Sequence, residues 1–190
     1  MGEGVNNVDY PHLSPPPQRG EEIFYFLSKE GERMMRHPER ELKNRETMIA
    51  MLERSPIGRI ATVNQKGFPV IKPVNFLYLE GKIYLHSSTK GEKMDDMQRG
   101  SPVCFEVDDP VAYVVAGASA CKASYYYRSI IIKGKAAFVK DPDKKMKVLG
   151  RMMEKYQPEG NDGEMPAEVL EKTAVVEILI KEITGKENFG

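Results

Sequence analysis

Apolar positions first settle into a helical period at Met48, Ile49 and Leu52, behind Asn44 as a candidate N-cap and ahead of a Ser55-Pro56 stop. The period then shortens. Ile57 to Val63, Phe68 to Tyr78 and Lys82 to Ser87 read as strands, separated by the turn Asn64-Gln65-Lys66-Gly67 and the hairpin turn Glu80-Gly81. A helix is predicted from Lys90 to Arg99, closed by Gly100. Two short strands follow, Pro102 to Val107 and Val111 to Val115, then a long β-branched one from Ser129 to Val139. Asp141-Pro142 opens a further helix, with Asp as N-cap and Pro at the first helical position. Met146, Leu149, Met152, Met153 and Tyr156 form its apolar stripe. A brief helix from Ala167 to Glu171 and a strand from Thr173 to Ile183 close the pattern.

Six or seven strands at hairpin-like spacing, with helices inserted between them, lack the continuous βαβ alternation of a doubly wound parallel sheet. The pattern predicts a mainly β fold with peripheral helices, a small antiparallel barrel. The first 38 residues stand apart as an N-terminal extension, and residues 39–190 form the expected domain. Pro11, Pro15, Pro16 and Pro17 lie among polar residues in an extended arm. Glu21 to Met35 fits a short helix carrying Ile23, Phe24, Phe26 and Leu27, which Pro38 interrupts.

Composition narrows the partners. Lys+Arg and Asp+Glu both number 28, so the formal net charge is zero. A general nucleic-acid binder needs a basic excess to neutralise phosphates, so none is expected. A ligand with one or two phosphates requires only a local patch. The two cysteines, Cys104 and Cys121, are too few for a disulfide framework or a Cys-rich zinc site. No apolar run approaches the ~20 residues of a membrane span. The N-terminus lacks a hydrophobic signal region, so no membrane association and a cytoplasmic location are expected.

The segment from His86 to Met94 carries the most chemistry. Thr89 and Glu92 have capping-box spacing, which predicts a helix starting at Lys90. Ser87 and Ser88 supply hydroxyls just before it, and Lys90 and Lys93 share a helical face. Together with the first-turn amides they make a compact site for one terminal phosphate. A capped surface helix with solvated lysines accounts for the same residues, and both readings stay open at this level. Alternation puts Lys82, Tyr84 and His86 on one strand face and Ile83, Leu85 and Ser87 on the other. His86 can donate and accept hydrogen bonds to a small ligand, or simply cap the strand end. No second histidine or carboxylate lies at ligand spacing from it, so no metal is expected. Motifs for dinucleotide binding, ATP binding and serine hydrolysis are absent. The run Tyr125-Tyr126-Tyr127-Arg128-Ser129 suits either stacking on a planar ring or half-buried barrel positions.

These residues resemble a family. Gly81-Lys82-Ile83-Tyr84-Leu85-His86-Ser87-Ser88, then Gly91-Glu92-Lys93-Met94, then Pro102-Val103-Cys104-Phe105-Glu106-Val107 are similar to the FMN-binding split β-barrels related to pyridoxamine 5′-phosphate oxidase. The nitroimidazole-resistance (Nim-type) branch is the nearest in pattern. Cys121, Tyr127-Arg128-Ser129-Ile130 ahead of Gly134, and Ile183-Thr184-Gly185-Lys186 agree.

The resemblance implies a split β-barrel homodimer with two FMN sites between subunits. It puts the phosphate at the turn from His86 to Met94, near Ser87, Ser88, Lys90 and Lys93. Pro73, Val74, Asn75 and Phe76 would line the isoalloxazine ring, and Arg128 and Ser129 would complete the site from the second subunit. His86 matches a histidine beside the substrate pocket and is the candidate catalytic residue. Lys186 is a further candidate near the cofactor. The implied activity is FMN-dependent reduction of a small acceptor such as a nitroimidazole or nitroaromatic. Pyridoxamine phosphate oxidation, flavin storage, redox sensing and a barrel binding haem or another planar ligand are the alternatives.

Overall fold

The computed structural model describes residues 35–119, 122–159 and 165–189. The proline-rich arm, all of the predicted Glu21–Met35 helix but its last residue, and Cys121 lie outside the described residues. Seven antiparallel strands form one sheet: β1 (Gly58–Val63), β2 (Pro69–Val74), β3 (Leu77–Leu79), β4 (Lys82–Ser88), β5 (Pro102–Val114), β6 (Ser124–Phe138) and β7 (Thr173–Asn188). Their order is β2-β1-β5-β6-β7-β4-β3. Strands β2 and β3 therefore stand at opposite edges of the sheet, yet only Asn75 and Phe76 separate them in sequence. Two residues span on the order of 10 Å at most, so the sheet must roll until its edges nearly meet. No ladder joins those edges. This is a split β-barrel.

Its interior holds Ile60, Phe76, Ile83, Leu85, Val103, Phe105, Ile130, Ile132 and Ile178, all nearly solvent-free. Helix α1 (Arg45–Arg54) lays Met48, Met51 and Leu52 over this core, and α2 (Glu92–Gln98) adds Met94 and Met97. Helix α3 (Pro142–Tyr156) packs outside the barrel, its Val148, Leu149 and Met152 meeting Leu77, Tyr84 and Val175. Helix α4 (Ala167–Lys172) leads into β7. Tyr84 is thus buried like its neighbours Ile83 and Leu85, because both faces of β4 are covered. Both strong sequence caps form: Asn44 accepts from the Thr47 amide, and Asp141 from the Lys144 amide.

Several expectations are corrected. The single strand Phe68 to Tyr78 is two strands, since the chain leaves one edge at Val74 and crosses the split. Pro102–Val107 and Val111–Val115 are one strand, because a bulge between Pro110 and Ala112 lets the proline sit in the ladder without ending it. Strands β6 and β7 run longer than their β-branched cores. Met146 is exposed, as α3 buries only a narrow stripe. The Thr89–Glu92 capping box does not form. Helix α2 begins at Glu92, its N-cap is Gly91 at φ 118, and no side chain caps it. The hairpin at Glu80-Gly81 forms with both residues at positive φ, 53 and 75, as a tight primed turn requires.

Candidate functional site

The split is where chemistry collects. On β2, Lys72 stands opposite Ile60, so it points to the same side of the sheet as that core residue. At a sheet edge this aims the ammonium across the gap, where it meets the Glu92 carboxylate at 3.3 Å. Lys93, the next residue of α2, makes no ion pair among the described residues. Partial burial, reinforced by the Lys72 charge, holds its ammonium below the ordinary lysine pKa. His86 stands beyond it at the end of β4. The residue is exposed overall, but partial burial of its ring against α3, and then the Lys93 charge, lower its pKa and favour the neutral imidazole. Lys72, Lys93 and His86 thus form a row of groups, each pressed by the next. An anion placed among them would relieve that repulsion.

The position of α2 is fixed from inside. Asp96, almost wholly buried, accepts from Thr62 Oγ1 at 2.7 Å and from Arg99 at 2.9 Å. Ser101 Oγ accepts from the Val63 amide at 2.8 Å. These contacts tie the helix to β1, the neighbour of β2 in the sheet, and so keep α2 beside the strand that carries Lys72.

Not every predicted residue faces the cluster. Ser87 is partly exposed, and Ser88 and Lys90 are exposed; the Lys90 amide donates to Ser88 Oγ at 3.3 Å. Pro73 and Asn75 are exposed, whereas Val74, Phe76 and Met94 belong to the core and offer no side-chain surface. The His86 ring lies 3.3 Å from Met152 Sδ on the α3 side of β4. With the proton on Nδ1 the ring donates to sulfur and keeps Nε2 as an acceptor. Arg128 and Ser129 are elsewhere. Ser88 pairs with Thr173 and Ser129 with Lys186, thirteen residues farther along β7. That is roughly 40 Å of strand. Within its own chain, Arg128 pairs with Glu187 at 3.1 Å and lies over the Phe189 ring. Lys186 shares that distant end, where it bridges to Glu41.

Sequence reasoning missed Lys72. Its signal was the alternation Val70-Lys72-Val74, which puts one cation on the core side of a strand. It also missed Tyr156 as a polar group, reading it only as part of an apolar stripe. The described residues contain no cluster of metal-ligating side chains, and no helix is long and apolar enough to cross a membrane. An apolar cavity of about 380 Å³ lies over Ala61, Val63, Pro102, Val103 and Gly134, and no predicted site residue lines it.

A terminal phosphate fits the split. Among the described residues Lys93 has no paired carboxylate, the Lys72 charge acts on it, and the Ser87 and Ser88 hydroxyls lie at the end of the neighbouring strand β4. Helix α2 has only seven residues, so the side chains, rather than its dipole, provide the charge.

Comparison with known proteins agrees with this architecture. A flavocytochrome from Azotobacter vinelandii superposes with a TM-score of 0.74 at 23% identity, covering 83% of this chain and 73% of that one. An FAD- and haem-binding protein from Mycobacterium smegmatis gives 0.72 at 22% identity, covering 80% and 74%. A candidate 5-nitroimidazole antibiotic resistance protein from Bacteroides thetaiotaomicron gives 0.66 at 21% identity, covering 77% and 85%. At these identities the likeness establishes the fold. No curated protein sequence matches the chain significantly. The sequence profile of the pyridoxamine 5′-phosphate oxidase family matches residues 44–187, from α1 through all of β7 but its last residue, and the chain belongs to that family.

Proposed function

We propose that this chain is a flavoprotein that binds FMN at the split and passes electrons from it to a small acceptor such as a nitroaromatic compound. The observation that carries the reading is the approach of Lys72 and Lys93 across the gap between β2 and α2, with no carboxylate paired with Lys93 among the described residues. A terminal phosphate belongs there. Pro73 and Asn75, both exposed and contiguous with Lys72, would then run beside the ring system. The relatives that bind flavin or FAD on the same fold support the flavin. A site with cations for one terminal phosphate is the ground for proposing FMN.

Bound there, the flavin would supply the two electrons of the reduction. The protein's own part is to hold the phosphate with Lys72 and Lys93, and to present a neutral His86 whose Nε2 can accept a hydrogen bond. The core residues Phe76 and Met94 support this surface from beneath. Arg128 and Ser129, on β6 opposite the far end of β7, lie too far along the sheet to reach the split of their own chain and would complete it only from a second, which is the ground for proposing a homodimer.

The test begins with the purified protein. A yellow protein with a flavin absorption band, releasing FMN on denaturation and eluting as a dimer, is expected. Anaerobically reduced holoprotein should then be reoxidised by a nitroimidazole faster than free reduced FMN is. A protein that neither carries FMN nor takes it up refutes the cofactor. Reoxidation no faster than free FMN turns the reading to flavin storage or sensing.

A further inference from the structure

The two-residue link between β2 and β3 has an unusual requirement. Its backbone lies at the split, where no neighbouring strand offers a ladder, yet Phe76 is fully buried. Buried backbone amides and carbonyls must find partners. Both come from the end of α3. The Phe76 amide donates to Tyr156 Oη at 2.8 Å. The Tyr156 hydroxyl proton has two acceptors in reach, the Phe76 carbonyl at 2.9 Å and the Pro56 carbonyl at 2.8 Å. Lys155 Nζ donates to the Phe76 carbonyl at 3.1 Å and sits 4.1 Å from the centre of the Phe76 ring. The ring itself meets Phe105 edge-on, with centroids 4.9 Å apart.

We infer that Tyr156 and Lys155 are positioning residues for the flavin site, holding the Asn75–Phe76 link by its backbone and thereby fixing Asn75 and the end of β2, where the chain leaves the β1 ladder that holds Lys72, Pro73 and Val74. This rests on the proposed flavin site. The clamp joins three segments remote in sequence: the loop after α1 at Pro56, the link itself, and the end of α3. Among the described residues no backbone hydrogen bond outside the helices and strands reaches Phe76, and Lys72 is only four residues before it. A shift of the link would move Asn75 first and then pull on the end of β2 at Val74 and Pro73, next to Lys72. Burial lowers Lys155 to about 8, with Glu53 opposing that shift, so its ammonium is retained at neutral pH as a donor to the carbonyl. Neither residue is placed to touch a ligand.

The experiment uses Tyr156→Phe, which keeps the ring and removes the hydroxyl, with Lys155→Met as a second variant. Hydrogen exchange at the Phe76 amide is measured in the flavin-free protein, and FMN binding by titration at pH 7. Tyr156→Phe should speed exchange at Phe76 at least tenfold more than at core amides of β6. It should also weaken FMN binding about tenfold while the far-UV spectrum stays native. Lys155→Met should produce a smaller loss, about threefold. Unchanged exchange at Phe76 overturns the clamp. Faster exchange with undiminished FMN affinity overturns the positioning role. Faster exchange in a chain whose wild type binds no FMN refutes the flavin reading while leaving the clamp intact, so the two failures are told apart. If Tyr156→Phe does not fold, Lys155→Met decides by the same two measurements.

Discussion

Two clusters of lysines flank β4, and they differ in how their charge is met. Beneath α3, Glu177 lies almost wholly buried, accepts from Tyr84 at 3.0 Å, and pairs with Lys82 at 2.9 Å and with Lys144. Across the split, Lys72 and Lys93 stand near one another, and among the described residues the only carboxylate paired with either is the exposed Glu92. The first cluster is complete. Burial pulls the Glu177 carboxyl upward, but the donors around it outweigh burial and hold it below the ordinary value. Burial and then Glu177 push Tyr84 up to about 12, so it stays a protonated donor. The second would be completed by the anion proposed for it. A closed network stabilises a fold, and an open one awaits a ligand.

The largest expected effect breaks the closed side. Glu177→Ala would leave two ammonium groups and a buried hydroxyl without their common acceptor. Both lysines can reach water, so the cost falls below that of a wholly buried broken pair, roughly 2 kcal/mol. A thermal melt should show a loss of about 4–8 °C. FMN affinity of the folded protein should stay within twofold of wild type. A tenfold loss of affinity would mean that the two clusters are one functional unit.

Next comes the open side, with the opposite signature. Lys93→Ala removes a charge-assisted hydrogen bond to phosphate, about 1.5–3 kcal/mol, or 10- to 100-fold in FMN affinity. Stability without ligand should not fall, because Lys93 is partly buried and faces Lys72. Lys66→Ala, in the exposed turn after β1, is the control and should change neither quantity. Equal affinities for the two variants would remove the phosphate from the split.

Acid separates the clusters more gently. Glu177 has a folded pKa below its ordinary 4.5. Its stabilisation is therefore present in full above about pH 4.5 and is lost as the pH falls through the lowered value. Below pH 4.5, urea melts of the wild type should lose stability faster than those of Glu177→Gln, because the variant has no such proton to take up. Parallel slopes would show that the carboxyl is not held in its charged form.

Much of this architecture was legible because it is local. The caps at Asn44 and Asp141 and the Glu80-Gly81 turn form as their residues dictate, since each is settled within a few positions of itself. The family resemblance added the split barrel, which alternation alone could not separate from a closed one. What escaped depends on distance along the chain. Tyr156 acts on Phe76 across 80 residues and on Pro56 across 100, so its stripe position disclosed packing and not polarity. Thr89 and Glu92 had the spacing of a capping box, but Gly91 at positive φ starts the helix later and Lys72 takes up the Glu92 carboxylate. The lysine that most changes the site was thus on another strand.

The smallest prediction isolates the anion from the rest of the cofactor. If the open cluster is built for phosphate, inorganic phosphate should bind it weakly, with a Kd on the order of 10 mM. At three times that concentration, linkage stabilises the fold by about 0.8 kcal/mol. This corresponds to a rise of about 2–3 °C in Tm. Chloride at the same ionic strength should not match it, because screening acts on both clusters alike whereas a dianion occupies only the open one. The increment should disappear in Lys93→Ala and persist in Glu177→Gln. That pattern would follow from the difference between a carboxylate already surrounded by its donors and two ammonium groups that still face one another. A rise that survives loss of Lys93 would place the phosphate on some other surface and leave the split without its ligand.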